Sequence, residues 1–156
     1  MDIMLVVIVL LGMAMVGIVS HNLLKDVNTE IQADPDLNTN VKTQTQTLQT
    51  NFPTFMDNAF LLATILLWIF VLVSSVLIDS HPMFMVISVI LIIFALGVVM
   101  LLSNTFQEYV EEPEYANLDQ QFPVTYFIMN NLLTIIIVMA GSVVIALYGK
   151  NKFLGT

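Results

Sequence analysis

The chain has no cysteine and no arginine. Without cysteine there is no disulfide, no thiolate zinc site and no cysteine-held iron–sulfur cluster, and the redox compartment stays open. The cations are Lys25, Lys42, Lys150 and Lys152 alone. Nucleic-acid binding needs a clustered basic surface, so a nucleic-acid partner is excluded. Charge of either sign is scarce, at 10% of residues against roughly 25% in an ordinary soluble domain. Glycine-rich phosphate loops, nucleophile elbows and metalloprotease helix patterns are all missing. The chain therefore reads as a non-enzyme that binds no cofactor and no metal.

What fills it instead is apolar. Of 156 residues 58% are hydrophobic, with a mean hydropathy of +0.89, more than a soluble fold of this length can hide from water. The length allows one domain, a single helix bundle with its loops. Four stretches free of Asp, Glu, Lys, Arg and His divide it: residues 3–20, 59–78, 83–103 and 124–148. Each has about the 17 to 25 residues that cross a ~30 Å hydrocarbon core. The expected fold is thus all-α, an integral membrane bundle of about four transmembrane helices carrying a polar ectodomain helix. Its expected segments are a first span over 1–20, a polar ectodomain over 21–58, spans over 59–78 and 83–103, an acidic loop over 104–123, a last span over 124–148 and a tail over 149–156. A secretory signal peptide is the other reading of the first run. Asp2 in place of a basic residue, and no small-residue cleavage site before His21, favour a retained helix.

The net charge of −8 arises in the two polar segments. The first holds Asp26, Glu30, Asp34, Asp36 and Asp57 against Lys25 and Lys42; the second holds Glu108, Glu111, Glu112, Glu114 and Asp119 with no cation. Within the first, Asp34 followed by Pro35 predicts a helix start, with Asp34 as N-cap and Pro35 at the first helical position. Leu37, Val41, Leu48 and Phe52 then form a narrow apolar stripe on a Thr/Gln-rich helix. The Thr/Gln alternation over 43–47 also suits an exposed strand, but the apolar spacing favours the helix. Pro53 is expected to break or kink it. Asp79, Ser80, His81 and Pro82 suit a tight turn joining the second and third spans into a central hairpin. Trp68 lies mid-span, which argues for packing on a neighbouring helix rather than for an interfacial belt. Lys150 and Lys152 directly after the last span place both termini on the cytoplasmic or interior side, although Lys25 lies close to the first span on the other side.

Each polar feature has a structural and a functional reading. The cluster Glu108, Glu111, Glu112, Glu114 and Asp119 lacks the spacing and turn glycine of a calcium loop; it reads as a solvated, partner-facing loop. His21 and His81 fall on opposite sides of the membrane under the four-span scheme, so they share no metal. Asn130 and Asn131 sit inside an apolar run and read as helix-packing amides; a pore lining would call for ionisable groups in the spans. Ser142 and Ala146 have the small-xxx-small spacing that lets helices approach closely, and Gly12, Ala14 and Gly17 add small residues to the first run.

One ordered set of residues goes further. His81-Pro82-Met83-Phe84, a long apolar helix, Leu102-Ser103-Asn104-Thr105-Phe106, an acidic loop, and then Phe122-Pro123-Val124-Thr125-Tyr126-Phe127-Ile128-Met129-Asn130-Asn131 follow in sequence. This order resembles small membrane proteins of bacterial and archaeal viruses, including tailless ones with a membrane beneath the capsid, over about residues 80–150. The resemblance implies a virion membrane protein that organises lipid under a shell or anchors a vertex complex. The expected function is accordingly structural. The chain would hold a bilayer and dock other membrane or capsid-type proteins, as a homo- or hetero-oligomer. An accessory subunit of a membrane enzyme complex and a lysis-type or channel protein are the alternatives.

Overall fold

The structure is a computed structural model and describes residues 3–77, 82–112, 115 and 117–153. The expected turn at Asp79, Ser80 and His81, and Glu114 of the acidic cluster, lie outside the described residues. Among the described residues six helices follow one another: α1 (Ile3–Ala33), α2 (Thr39–Leu77), α3 (Pro82–Val110), α4 (Leu118–Gln121), α5 (Pro123–Asn130) and α6 (Leu132–Phe153). Among the described residues there is no strand, and the Thr/Gln segment is helical. The all-α membrane bundle is the observed fold. Among the described residues three helices are long and apolar enough to cross a bilayer, and a fourth span arises if the bent pair α5 and α6 counts as one.

The helices overrun the expected spans. At about 1.5 Å rise per residue, the 31 residues of α1 and 39 of α2 extend some 46 and 58 Å, well beyond a ~30 Å hydrocarbon core. Their surplus lengths run alongside each other and form a two-helix hairpin that leaves the bundle. The helix expected to open at Pro35 opens instead at Thr39, because α1 persists to Ala33 and residues 34–38 make the turn. Asp34 does not cap a helix; its Oδ1 accepts the Asp36 N–H at 2.9 Å, closing an Asx turn, while Asn38 Oδ1 caps α2 by accepting the Asn40 N–H at 2.9 Å. Across the hairpin the Gln32 amide donates to the Lys42 carbonyl at 2.8 Å, the Lys42 ammonium donates to the Gln32 carbonyl at 3.2 Å, and Asn28 donates to Gln49.

Pro53 neither breaks nor ends α2 but lies buried inside it. A proline removes one helix hydrogen bond and crowds the preceding turn, and here the surrounding packing carries that cost. α3 likewise runs seven residues beyond its expected end at Ser103, to Val110, taking the start of the acidic loop into the helix.

α1 supplies the inner stripe of the bundle. Val6, Val7, Leu10, Ala14 and Ile18 are buried at helical spacing, against Phe60 and Val71 of α2, Val99 and Phe106 of α3, and Met129, Leu132, Ile136 and Met139 of α5 and α6. The main neighbours of α2 are α1, α5 and α6, and those of α3 are α1, α5 and α6. Around the bundle the order is therefore α1, α2, α6, α3, with α2 and α3 on a diagonal rather than as the expected central hairpin. Of the small residues, Gly17 marks a close approach: a Cβ there would lie 3.3 Å from the Met56 methyl of α2, whereas nothing lies within 4 Å of Gly12 or Gly141.

Candidate functional site at the hairpin root

The expected last span, 124–148, is divided at Asn131, where α5 and α6 meet at a bend of 72°. α5 begins at Pro123, whose fixed φ suits a first helical position. Its N-cap residue is Phe122, which has no side chain able to cap. The orphaned donors find a partner in another helix: Asp57 of α2 accepts the Val124 N–H at 2.9 Å on Oδ2 and the Thr125 N–H at 2.6 Å on Oδ1. One carboxyl group from α2 thus performs the N-cap role for α5. Asp57 and Thr125 are both buried.

His21 lies beside this clasp, one position past the apolar run of α1, and takes the next core position after Ile18. Its ring stacks on Phe52 of α2 with centroids 6.4 Å apart and meets Phe122 edge-on at 5.6 Å. The Gln121 side chain hydrogen-bonds it, while Nδ1 and the neighbouring Asn22 Nδ2 are buried without a partner. Burial, reinforced by the nearby Lys25 charge, holds the imidazole below its ordinary pKa, with the Gln121 contact acting in the opposite direction. The α1–α2 hairpin and the α4–α5 segment are therefore tied together at one end of the bundle by Asp57 and His21. Both polar segments of the sequence emerge at that end.

Of the sequence-selected residues, Asn130 accepts from the Gln107 amide of α3 at 2.9 Å, and Asn131 stands at the α5–α6 break, donating to the Phe127 carbonyl at 2.8 Å. Ser142 accepts from the Trp68 indole at 3.0 Å, joining α6 to α2, and donates to the Met139 carbonyl at 2.6 Å. Ala146 is half-buried one turn further along α6. Glu108, Glu111, Glu112 and Asp119 are exposed or nearly so. Among the described residues no three His, Cys, Asp or Glu side chains come together as a metal site.

The apolar stripe expected from Leu37 to Phe52 is split. Leu37 sits in the turn, Val41 and Leu48 face outward with 42% and 63% exposure, and Phe52 turns inward to His21. Asp57 is the site residue that sequence reasoning missed. Its one local hint is that it is a lone acid just before an apolar run; nothing in that segment names its partner at the Phe122–Pro123 helix start. Neither a protein-family model, nor a curated protein, nor a solved structure matches this chain.

Proposed function

We propose that this chain is a structural membrane protein that organises a bilayer and holds a rigid helical hairpin ready for partner proteins on one side of it. The observation that carries this reading is the hairpin root. α1 and α2 leave the bundle as uninterrupted helices, and Asp57 and His21 lock their base to α4 and α5. A docking post needs such stiffness, because a floppy tether loses more conformational entropy when a partner binds. The reading places the termini, with Lys150 and Lys152, on the cytoplasmic or interior side and the acidic segments on the other. The resemblance to viral membrane proteins favours a virion membrane as the setting, with a capsid-type protein as the partner.

The lysis or channel reading fares worse physically. The described centre of the bundle is filled by Val6, Leu10, Ala14, Met129, Leu132 and Ile136, which offer an ion no oxygen ligands. The decisive experiment reconstitutes the chain in liposomes loaded with a self-quenched dye, together with a variant lacking residues 24–49. The structural reading expects both proteins to insert, no dye release from either, and protease cleavage of the full-length protein confined to the hairpin and the acidic loop. Dye release that scales with protein density refutes it.

A further inference from the structure

Beyond its inward contacts, α2 carries a second apolar seam on its outer surface. Val41, Leu48, Phe55, Leu62, Ile69 and Val76 recur at every seventh position. All six are outward-facing, at 42%, 63%, 68%, 58%, 51% and 42% exposure. A strict seven-residue repeat is the signature of a left-handed coiled coil. In the membrane half such side chains need no explanation, since lipid covers them. In the hairpin lipid cannot reach, yet Val41, Leu48 and Phe55 continue the same seam without a change of register.

Three residues on from the first four of these positions, the neighbouring outward-facing places are filled by Gln44, Asn51 and Asn58 in the hairpin and by Ile65 in the membrane. All three amides are exposed, and among the described residues none makes a side-chain hydrogen bond within the chain. The face bears no charge. The charged residues of α2 are Lys42, which is turned to Gln32 of α1, and Asp57, which is buried at the clasp. The threonine hydroxyls of Thr43, Thr47 and Thr50 are donated to carbonyls one turn back, so they do not compete for a partner.

We infer that this face is a homotypic coiled-coil interface, on which α2 of a second copy lies parallel. Three features select a second copy. Membrane insertion gives copies the same orientation, so each seam residue meets its own counterpart along the whole helix, in lipid and in water alike. An amide carries both donor and acceptor, so Gln44, Asn51 and Asn58 are each complementary to themselves. Amides at such positions are also a known device for fixing register and stoichiometry. Finally, the chain's net charge of −8 makes two copies repel, and the outer face of α2 is a long path free of that repulsion. An open apolar depression of about 550 Å³, lined by Val9, Leu66, Ile69, Phe70 and Val73 among others, borders the seam and gives the partner's side chains a place to enter. The inference rests on the hairpin standing outside the lipid, as proposed above.

The absence of native cysteine makes the test direct. Single variants Val41→Cys, Leu48→Cys and Phe55→Cys, with Gln46→Cys and Thr50→Cys as controls on the opposite exposed surface, are reconstituted in liposomes and oxidised. A thiol-reactive, membrane-impermeant label first establishes that each site is open to water. Facing core positions of a parallel pair lie within disulfide range, so the three seam variants form covalent dimers in several-fold higher yield than the two controls. In Leu48→Cys, adding Gln44→Glu and Asn51→Asp removes that excess by facing like charges across the seam. Equal yields at all five positions, or no dimer at the seam in labelled, inserted protein, overturns the interface and leaves the proposed function standing. Positions closed to the label overturn both.

Discussion

Replacing Asp57 by alanine tests the hairpin root most sharply. The substitution leaves two N–H groups, those of Val124 and Thr125, with no acceptor at the start of α5, and Thr125 is buried. An unsatisfied buried donor costs roughly 1 to 3 kcal/mol, and loss of an N-cap alone costs about 1. A loss of about 2 to 4 kcal/mol in the local stability of the clasp is therefore expected. Asp57→Asn retains one carbonyl oxygen and satisfies one donor, so its cost is about half as large. The effect is local, because the core of α1, α2 and α6 does not depend on these bonds. Hydrogen exchange in detergent micelles reads it residue by residue. The Val124 and Thr125 amides of the Ala variant should exchange about 30- to 1,000-fold faster, since each 1.4 kcal/mol is a factor of ten, while the amides of Leu10 to Ile18 keep their protection. Unchanged exchange at Val124 and Thr125 in a folded Asp57→Ala protein refutes the long-range cap.

Other outcomes follow from single contacts. The bond from Trp68 to Ser142 joins two spans in an apolar setting, so a double-mutant cycle of Trp68→Phe and Ser142→Ala in SDS-titrated unfolding should give a coupling of about 0.6 kcal/mol; zero coupling places the hydroxyl elsewhere. His21 titrates below its ordinary pKa in the folded chain. The unfolded state thus binds the proton first as pH falls, and stability should be flat above the ordinary imidazole range and decline on acidification beneath it. His21→Gln should flatten that acid limb in thermal unfolding followed between pH 7.5 and 5, whereas an identical slope in the variant assigns it to other groups. Gly17→Ala should be nearly neutral, because the atom it meets is the far end of the flexible Met56 side chain. Gly17→Leu should lower the thermal midpoint through a cost of about 1 to 3 kcal/mol from overpacking.

The sequence announces the spans because lipid solvation is a bulk property, decided by runs of some twenty residues rather than by any one of them. The ends of the helices are less legible. His21 to Ala33 look like loop when counted by polarity, but a hairpin partner supplies Gln49 and Lys42 to satisfy Asn28 and Gln32, and the helix persists. Pro53 is a breaker by local rules and is overruled by packing. The break at Asn131 is invisible to hydropathy, since both sides of it are apolar. The clasp is the least legible feature of all: Asp57 and Thr125 stand 68 positions apart, and no local pattern links an acid in one segment to an uncapped helix start in another.

That separation has a consequence for biogenesis. α1 and α2 are neighbours in sequence and find one another as soon as both have been synthesised, burying the ring of His21 against Phe52. Asp57 must then wait, its carboxyl group unanswered, until Val124 and Thr125 arrive. A chain cut before Pro123 therefore leaves that carboxyl group without the two N–H donors it accepts from in the intact fold.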